Sequence, residues 1–493
     1  MELISSSTFG ICFEGKNFMG KFDKYAECSV LFSCPVCGKG LTLNERALTC
    51  AEKHSFDIAK QGYVNLYRGK PVNEYSKESF QERQQILNKG MYKHILDEIC
   101  DFLSNKYRDE SCGKKVLIDA GCGEGYYSRE IALRLGEKLK LDIFGADISR
   151  DSVKIAAGTA NGMGSIAADI KWLVADIGNL PVRNGQADII LDIFTSANYQ
   201  EFKRVLSESG YIIKVIPGSG HVRELRQAAM EQLFHKNYDE RKGSDIFGEH
   251  FDIIYQKTVS KSFNVTPEER DIFINMTPLL FQVDKSKIDW NEIDTITVEG
   301  EILIGKKKAK DVLRKEIGKR GRKLKAEYRR SADQAIFRKV VARSEYKEAN
   351  TVALFSSAFS EPDTWPIIKN ALSAGKIVGL PLCLSDGNMK MMRITGKKDL
   401  EPGTFNILQP KTSCEEIKPE SIDFVLVPCV TCDREGRRLG HGKGYYDKYF
   451  DNCKQAFKCL ICYDKLMSDE VPVDSWDVKM DLIIGEVTED DVK

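Results

Sequence analysis

The chain has 493 residues, with 73 Lys and Arg against 73 Asp and Glu, so its formal net charge is zero. No whole-chain basic field announces nucleic acid, and any contact with RNA has to come from local patches. Hydrophobic content of 42 % with 30 % charged residues is ordinary for a soluble globular chain, and the length suggests roughly three domains.

The longest apolar runs are too short to span a membrane. The opening MELISSSTFGICFEGKNF has no basic stretch followed by an apolar core, so no secretory signal is read there. Fifteen cysteines, odd in number and scattered, then read as reduced thiols in a cytoplasm rather than as a disulfide framework.

Residues 1–27 are polar, show no period and are assigned no function. Residues 28–75 hold SCPVCGKGLTLNERALTCAEKHSFD, in which Cys34, Cys37, Cys50 and His54 stand as C-x2-C-x12-C-x3-H. A C-x2-C turn brings two thiolates to one ion, and the second pair closes a tetrahedron suited to zinc. Four ligands leave no open position, so the expected zinc is structural.

Residues 76–305 open on KESFQERQQILNKGMYKHILDEICDFL, which reads as helical, and then reach VLIDAGCGEGYYSRE. A short β-branched run ends at Asp119, and Gly121, Gly123 and Gly125 follow before a helix-forming segment. Glycines at a strand-to-helix turn let backbone N–H groups approach a ligand closely. Further strand-like runs end at Asp147, at Asp176 and near Phe194, with Asp147 placed to meet ribose hydroxyls. Runs ending in acids predict a doubly wound α/β sheet with an adenosine at its carboxyl edge. ELRQAAMEQLF reads as a helix, while FDIIYQKTVSKSF and TITVEGEILIG read as strands completing the sheet edge after YIIKVIPG.

The D-x-G-x-G-x-G turn resembles that of class I S-adenosylmethionine-dependent methyltransferases. The order of zinc knuckle, HSFDIAKQGYVNL, a helix with Arg83, a Gly-Met-Tyr turn and DAGCGEGYYSRE is similar to the 23S rRNA guanine-N1 methyltransferases acting on the loop of helix 35. The resemblance covers about residues 33–305. It implies S-adenosylmethionine as cofactor, bound by Tyr92, Asp119, Gly121, Gly123, Glu124, Gly125, Tyr126, Asp147, Asp176 and His221, and an rRNA hairpin as partner. The chain departs from the family after the fourth strand, where Ser196 and Ala197 replace the usual Pro-Cys. Phe194, Tyr126 and Tyr127 are candidate stacking surfaces for an extruded base, or ordinary core and rim residues. No residue identifies itself as the base that accepts the N1 proton.

Residues 306–493 begin abruptly with KKKAKDVLRKEIGKRGRKLKAEYRR, thirteen Lys and Arg between Lys306 and Arg330. Read alone, this is an RNA-binding arm or a solvated helix face. The sequence GRRLGHGKGYYD then places Gly440, Gly442 and Gly444 around Lys443, with Arg438 before and Asp447 after. Such a loop cradles phosphates with backbone donors, neutralises them with basic groups and offers a carboxylate to magnesium.

Together with Lys310-x3-Arg314, FSEPDTWPI, FVLVPCVTC and VPVDSWDVKMD, this segment resembles 5-formyltetrahydrofolate cyclo-ligase over nearly its whole length. The resemblance implies a second α/β domain that uses ATP, magnesium and 5-formyltetrahydrofolate. It assigns nucleotide contacts to Lys310, Arg314, Arg438, Gly440, His441, Gly442, Lys443, Gly444, Tyr445 and Tyr446. Folate contacts fall on Ser356, Glu361 and the stretch from His441 to Tyr445, and magnesium on Asp447 and Asp477, with Asp481 a rival to the latter. Lys443, Arg438 and Glu361 are the expected catalytic set. Cys429 and Cys432 form another C-x2-C, but without a paired motif or histidines at ligand spacing they read, with Cys453, Cys459 and Cys462, as buried free thiols.

The expected protein is thus bifunctional, with no obligate protein partner. The alternatives are methylation of another RNA site, including the neighbouring guanine of macrolide resistance, a non-catalytic zinc RNA-binding module, and a folate- or nucleotide-sensing second half.

Overall fold

The computed structural model describes residues 22–27, 31–70, 76–108, 113–163, 165–233, 240–358, 360–384, 388–403 and 407–487. The chain divides into two units, Met1–Lys307 and Lys308–Lys493. Most of the expected N-terminal extension lies outside the described residues.

The first unit starts with an antiparallel meander of β1 (Leu41–Asn44), β2 (Ala47–Cys50) and β3 (Ser55–Asp57). β4 (Tyr63–Asn65) leaves it and joins a larger sheet with β5 (Lys115–Ala120), β6 (Leu141–Asp147), β7 (Lys171–Val174), β8 (Ala187–Ile193), β9 (Leu206–Pro217), β10 (Phe251–Asn264) and β11 (Thr295–Lys307). The order is β10-β11-β9-β8-β5-β6-β7-β4. Pairings from β4 through β9 are parallel, and β11 is antiparallel to both β9 and β10. The late strands therefore complete the edge after YIIKVIPG, as their β-rich sequences predict.

Burial explains the centre of this sheet. Val116 to Ala120 of β5 are all buried, as expected of a parallel strand covered on both faces. The helix Tyr126–Leu139 lays Ile131, Leu135 and Leu139, spaced by four, against one face. Ser149 caps the helix Arg150–Ala160, and a Thr266–Glu269 capping box starts Pro267–Met276. The expected long helix after residue 76 is two helices, Lys77–Asn88 and Lys93–Lys106, broken where Gly90 takes φ +81°.

The stretch before the zinc motif holds a surprise. Tyr25 is fully buried, and its hydroxyl donates to the Gly62 carbonyl (3.1 Å) and accepts from the Trp172 amide (3.3 Å). Lys24 Nζ donates to the Ile170 carbonyl at 2.7 Å. These residues tie the approach to the ribbon onto the sheet edge.

The second unit has β12 (Thr351–Ala353), β13 (Ile377–Cys383), β14 (Met389–Ile394), β15 (Leu400–Pro402), β16 (Leu408–Pro410), β17 (Phe424–Val427), β18 (Thr431–Cys432), β19 (Arg438–Leu439), β20 (Phe457–Ile461) and β21 (Leu482–Ile484). Its main sheet runs β14-β13-β12-β17-β20-β21, parallel except for the β14 edge. The basic stretch is no extended arm. Lys306 and Lys307 end β11, and the helices Ala309–Arg322 and Ala326–Ala342 bury Ile317, Ile336 and Val340 while Lys315, Lys319 and Arg320 face solvent.

No helix among the described residues is long and apolar enough to cross a membrane.

Candidate functional site

Two tight turns build the metal centre. The Gly38 amide donates to the Cys34 carbonyl (2.8 Å), and the Lys53 amide to that of Cys50 (2.9 Å). Cys34 Sγ lies 3.6 Å from His54 Nδ1, Cys50 Sγ 3.3 Å from the same atom, and Cys37 Sγ 3.6 Å from Cys50 Sγ. A tetrahedral zinc with thiolate bonds of about 2.3 Å requires ligand-to-ligand edges of about 3.7 Å. The four donor atoms thus fit zinc, and no fifth group in the cluster opens it to chemistry.

The ribbon's apolar residues Phe32, Leu41, Leu48 and Phe56 share one core with Ile118 and Phe144 of the sheet, and Phe32 meets Phe144 edge-on at 4.8 Å. Cys34→Ser is expected to lose the metal and expose residues 31–70 to protease, because structural zinc binding is worth about 10–16 kcal/mol and is itself folding energy. Metal analysis with limited proteolysis checks this, and full metal retention would refute the ligand set.

At the carboxyl edge of β5 and β6, Gly121, Gly123 and Gly125 all adopt positive φ, for different reasons. A Cβ on Gly121 would strike Thr195 at 2.8 Å, and one on Gly125 would strike Trp172 at 2.5 Å. A Cβ on Gly123 would meet nothing within 4 Å. Only Gly123 borders open space of the kind a ligand needs. Asp147 shapes this turn: its Oδ2 accepts from the Gly123 amide (2.9 Å) and its Oδ1 from that of Ser149 (2.8 Å). Asp119 is 3 % exposed and accepts from Ser128 Oγ at 2.6 Å; burial, with Asp147 and Glu124 nearby, pushes its carboxyl up to about 7. Glu124 is locked to Arg129 at 2.9 Å, and Asp176 accepts from the Gly178 amide at 2.7 Å.

Three distant segments bring aromatic rings together beside this turn. Tyr92 meets Phe194 edge-on at 5.8 Å and His221 at 6.2 Å, while Phe194 stacks on His221 at 5.4 Å. Phe194 pays for that position with φ +53°, a left-handed conformation that costs an ordinary residue about 1–2 kcal/mol. His221 is half-buried. Burial, with Arg226 nearby, lowers its pKa to about 4, and its Nδ1 accepts from the Glu299 amide at 3.2 Å. Glu299 also accepts from the Gly220 amide (2.7 Å), and a Cβ on Gly218 or Gly220 would collide with its side chain.

Tyr126 and Tyr127, 5 % and 6 % exposed, lie in the core and offer no face to an outside base. The first turn of their helix is packed inward, so of the two readings open for these residues the structure takes the core one. Ser196 is exposed and Ala197 half-buried against the ribbon-side core.

In the second unit, the β18–β19 hairpin positions the glycine loop. Asp433, fully buried, accepts from the amides of Glu435 (3.0 Å), Arg437 (3.1 Å) and Val471 (3.0 Å) and from Arg437 Nε (2.6 Å). Arg438 then leaves β19 buried, ion-paired to Asp447 at 2.5 Å and lying over the Tyr446 and Phe450 rings. Arg314 Nε donates to the Gly440 carbonyl at 2.8 Å, so the helix Ala309–Arg322 braces the loop. Lys310 on the same face pairs with Asp474 (2.7 Å) and with Asp477. Asp481 is spent elsewhere, accepting from the Lys458 amide at 2.7 Å.

Glu361 is buried beside the loop and its Oε1 is 3.4 Å from His441 Nε2; that carboxylate raises the imidazole pKa. The Tyr446 hydroxyl is buried without a hydrogen-bond partner among the described residues, and Ser356 is half-buried three residues past β12. Lys443 and His441 are exposed. Asp447 and Asp477 sit in separate ion pairs.

Comparison with known proteins matches these units one by one. The model of the RlmA N-terminal zinc ribbon matches residues 32–77, a methyltransferase domain model residues 112–277, and that of the 5-formyltetrahydrofolate cyclo-ligase family residues 306–486. A Bacillus subtilis protein provisionally named a 23S rRNA (guanine-N(1)-)-methyltransferase is 29 % identical over 287 residues, 56 % of this chain and 97 % of that protein. The 23S rRNA (guanine(748)-N(1))-methyltransferase of Streptomyces fradiae is 26 % identical, covering 52 % of this chain and 87 % of its own. The 5-formyltetrahydrofolate cyclo-ligase of Mus musculus is 32 % identical over 190 residues, 36 % of this chain and 94 % of that enzyme. The solved 5,10-methenyltetrahydrofolate synthetase of Aquifex aeolicus is 31 % identical, with 36 % of this chain and 90 % of that chain covered at a TM-score of 0.33. The chain belongs to the 5-formyltetrahydrofolate cyclo-ligase family through its second unit, and ahead of it carries an RlmA-type zinc ribbon and a methyltransferase domain.

Proposed function

We propose that one chain performs two reactions: methylation of guanine N1 in the helix 35 loop of 23S rRNA with S-adenosylmethionine, and ATP-dependent cyclisation of 5-formyltetrahydrofolate to 5,10-methenyltetrahydrofolate. The observation that carries the first is the open space at Gly123 beside the Tyr92, Phe194 and His221 rings. S-adenosylmethionine supplies an electrophilic methyl group when bound. Tyr92, Asp119, Gly121, Gly123, Glu124, Gly125, Asp147, Asp176 and His221 hold it, with Tyr126 supporting the turn from behind. A neutral His221 keeps the site free of a positive charge that would repel the sulfonium. The protein's task is to align acceptor nitrogen and methyl group and to exclude water. Phe194 is the remaining candidate to stack on the extruded base.

For the second reaction, Glu361, Ser356 and His441 to Tyr445 hold the folate. Lys443, Arg438, Lys310 and Arg314 hold the phosphates of ATP with the loop Gly440 to Tyr446. The formyl oxygen attacks the γ-phosphoryl group and ADP leaves; N10 then attacks the activated carbon and phosphate leaves. Asp447 and Asp477, held by Arg438 and Lys310, are the carboxylates proposed for magnesium, which usually takes one or two carboxylates together with substrate phosphates. The proposed domains are 28–75 for the ribbon and 76–305 and 306–493 for the two catalytic domains, with Lys306 and Lys307 of the last stretch completing β11. The cysteines are free among the described residues, which supports work in the cytoplasm.

Similarity to the Streptomyces fradiae guanine(748) methyltransferase, together with the departure at Ser196 and Ala197, supports a second reading in which the neighbouring guanine is the target. Primer extension on 23S rRNA from a deletion strain, repeated after adding purified protein and S-adenosylmethionine, is expected to stop at one guanine of the helix 35 loop. A stop at the neighbouring guanine selects the second reading, and no transfer of labelled methyl refutes both.

A further inference from the structure

Three cysteines of the second unit take no part in the proposed cyclisation, yet the fold gathers them. β17 and β20 run parallel with Val427 opposite Leu460, so their downstream ends carry Cys429 and Cys462 to one place. Cys429 Sγ lies 3.6 Å from the Ile461 carbonyl, and the Cys462 amide donates to the Ile484 carbonyl of β21 at 3.1 Å. Cys432, the last residue of β18, comes in from the hairpin. The sulfurs of Cys429, Cys432 and Cys462 all lie within 4.8 Å of one another, and the three residues are 6 %, 0 % and 2 % exposed.

Packing alone accounts for single buried cysteines, since a thiol behaves as a small hydrophobe. Cys453 and Cys459 are buried in that way, outside the cluster. Convergence of three sulfurs from three separate segments asks for more. A metal ion bonded to thiolates at about 2.3 Å spaces its sulfurs by about 3.8–4.0 Å. The observed cluster, with every pair within 4.8 Å, lies within reach of that spacing.

We propose that Cys429, Cys432 and Cys462 form a site for a soft, thiophilic metal ion held by three sulfurs. Among the described residues, no histidine or carboxylate completes a fourth position. The nearest candidate in sequence, Asp433, has committed both oxygens to Glu435, Arg437 and Val471. A donor set of sulfur alone rejects magnesium and calcium, and three ligands without a fourth suit structural zinc poorly. Cu(I) is the ion such a set selects, and Cd(II), likewise soft, serves as its probe. Binding exchanges thiol protons for the ion and needs no oxidant. The ion would fasten the ends of β17, β18 and β20 beneath the hairpin, where Cys432 stands opposite Arg438 in the ladder.

Cadmium titration of the full-length reduced chain tests this, with bound metal counted after gel filtration. The wild type is expected to take up one ion at the ribbon and one more at the three thiols. Cys432→Ser should lose the second ion and keep the first, and Cys34→Ser the reverse. Cyclisation measured before cadmium is added certifies that each variant is folded; if Cys432→Ser fails that control, Cys462→Ala carries the comparison. Cadmium should also raise the melting temperature of the second unit in the wild type and in Cys34→Ser, but not in Cys432→Ser or Cys462→Ala. Uptake of the ribbon's ion alone, uptake unchanged in both thiol variants, or a disulfide within the trio forming in place of cadmium uptake would each overturn the site.

Discussion

Lys443→Ala is expected to remove nearly all methenyl formation while the protein stays folded. Removing one preorganised charge from a site where charge moves in the transition state costs about 2.7–4 kcal/mol, a loss of roughly a hundred- to thousandfold in turnover. Lys443 is the cleanest place to see this. It is exposed and makes no ion pair among the described residues, so its truncation opens no core gap and strands no buried partner. Arg438→Ala would be harder to read, because it also unpairs Asp447 and uncovers the Tyr446 and Phe450 rings. The assay follows methenyl absorbance and ADP release, with methyl transfer to rRNA as the control that should not change. A fragment beginning at Lys308 is expected to show the same activity; starting at Lys306 would carry the last two residues of β11. Wild-type turnover in Lys443→Ala would remove this lysine from the mechanism, and a folded, ATP-binding fragment that forms no product would favour a sensing role.

Gly123→Val is expected to give the opposite split: methyl transfer lost, cyclisation untouched. The new side chain would enter the open space beyond the turn, where the cofactor is proposed to sit. It must also adopt φ +55°, at a cost of about 1–2 kcal/mol, a sizeable share of the roughly 5–15 kcal/mol by which a domain is usually stable but not enough alone to unfold it. Gly125→Ala makes the contrasting control. Its Cβ would press on Trp172, Ala156 and Arg129 at 2.5–2.9 Å, so it should lower the melting temperature of the first unit, which Gly123→Val should do far less. Labelled S-adenosylmethionine binding and thermal denaturation separate the two. Undiminished cofactor binding by Gly123→Val would mean that the open space serves something else.

What the sequence revealed and what it hid follow from the range of the interactions involved. Cys34, Cys37, Cys50 and His54 are legible because each ligand pair is set by one tight turn, a local property. The glycine loops are legible for the same reason, and so is the parallel sheet, whose strands are apolar on both faces. The ring group is not local. Tyr92, Phe194 and His221 come from a helix start, the end of β8 and the turn after β9, and only a resemblance placed Tyr92 and His221 together. Phe194 gives no sign in sequence that it will take a left-handed backbone. Glu299 and Asp433 hide for a related reason: each sits in an ordinary run and acts by accepting amides from another segment. The two glycines of PGSGH were the one visible hint of a close neighbour. Tyr126 and Tyr127 stayed open to two readings because aromatic residues beside a ligand turn serve equally well as the packing behind it.

The place of β11 bears on how the protein is made. Its partners on either side, β9 and β10, are synthesised well before it, and they cannot pair with each other because β11 lies between them. Domains fold broadly in the order in which the ribosome delivers them. Here the first unit's sheet stays divided until β11 has emerged, and only Lys308 then separates that strand from the helix that opens the second unit. A ribosome that stalled shortly before that point would release a methyltransferase with the flanks of its sheet unjoined and a long strand, β10, bare on both edges, the kind of nascent chain that chaperones and proteases take up first. Completion of the first unit's sheet and the start of the second unit are thus nearly one event in translation.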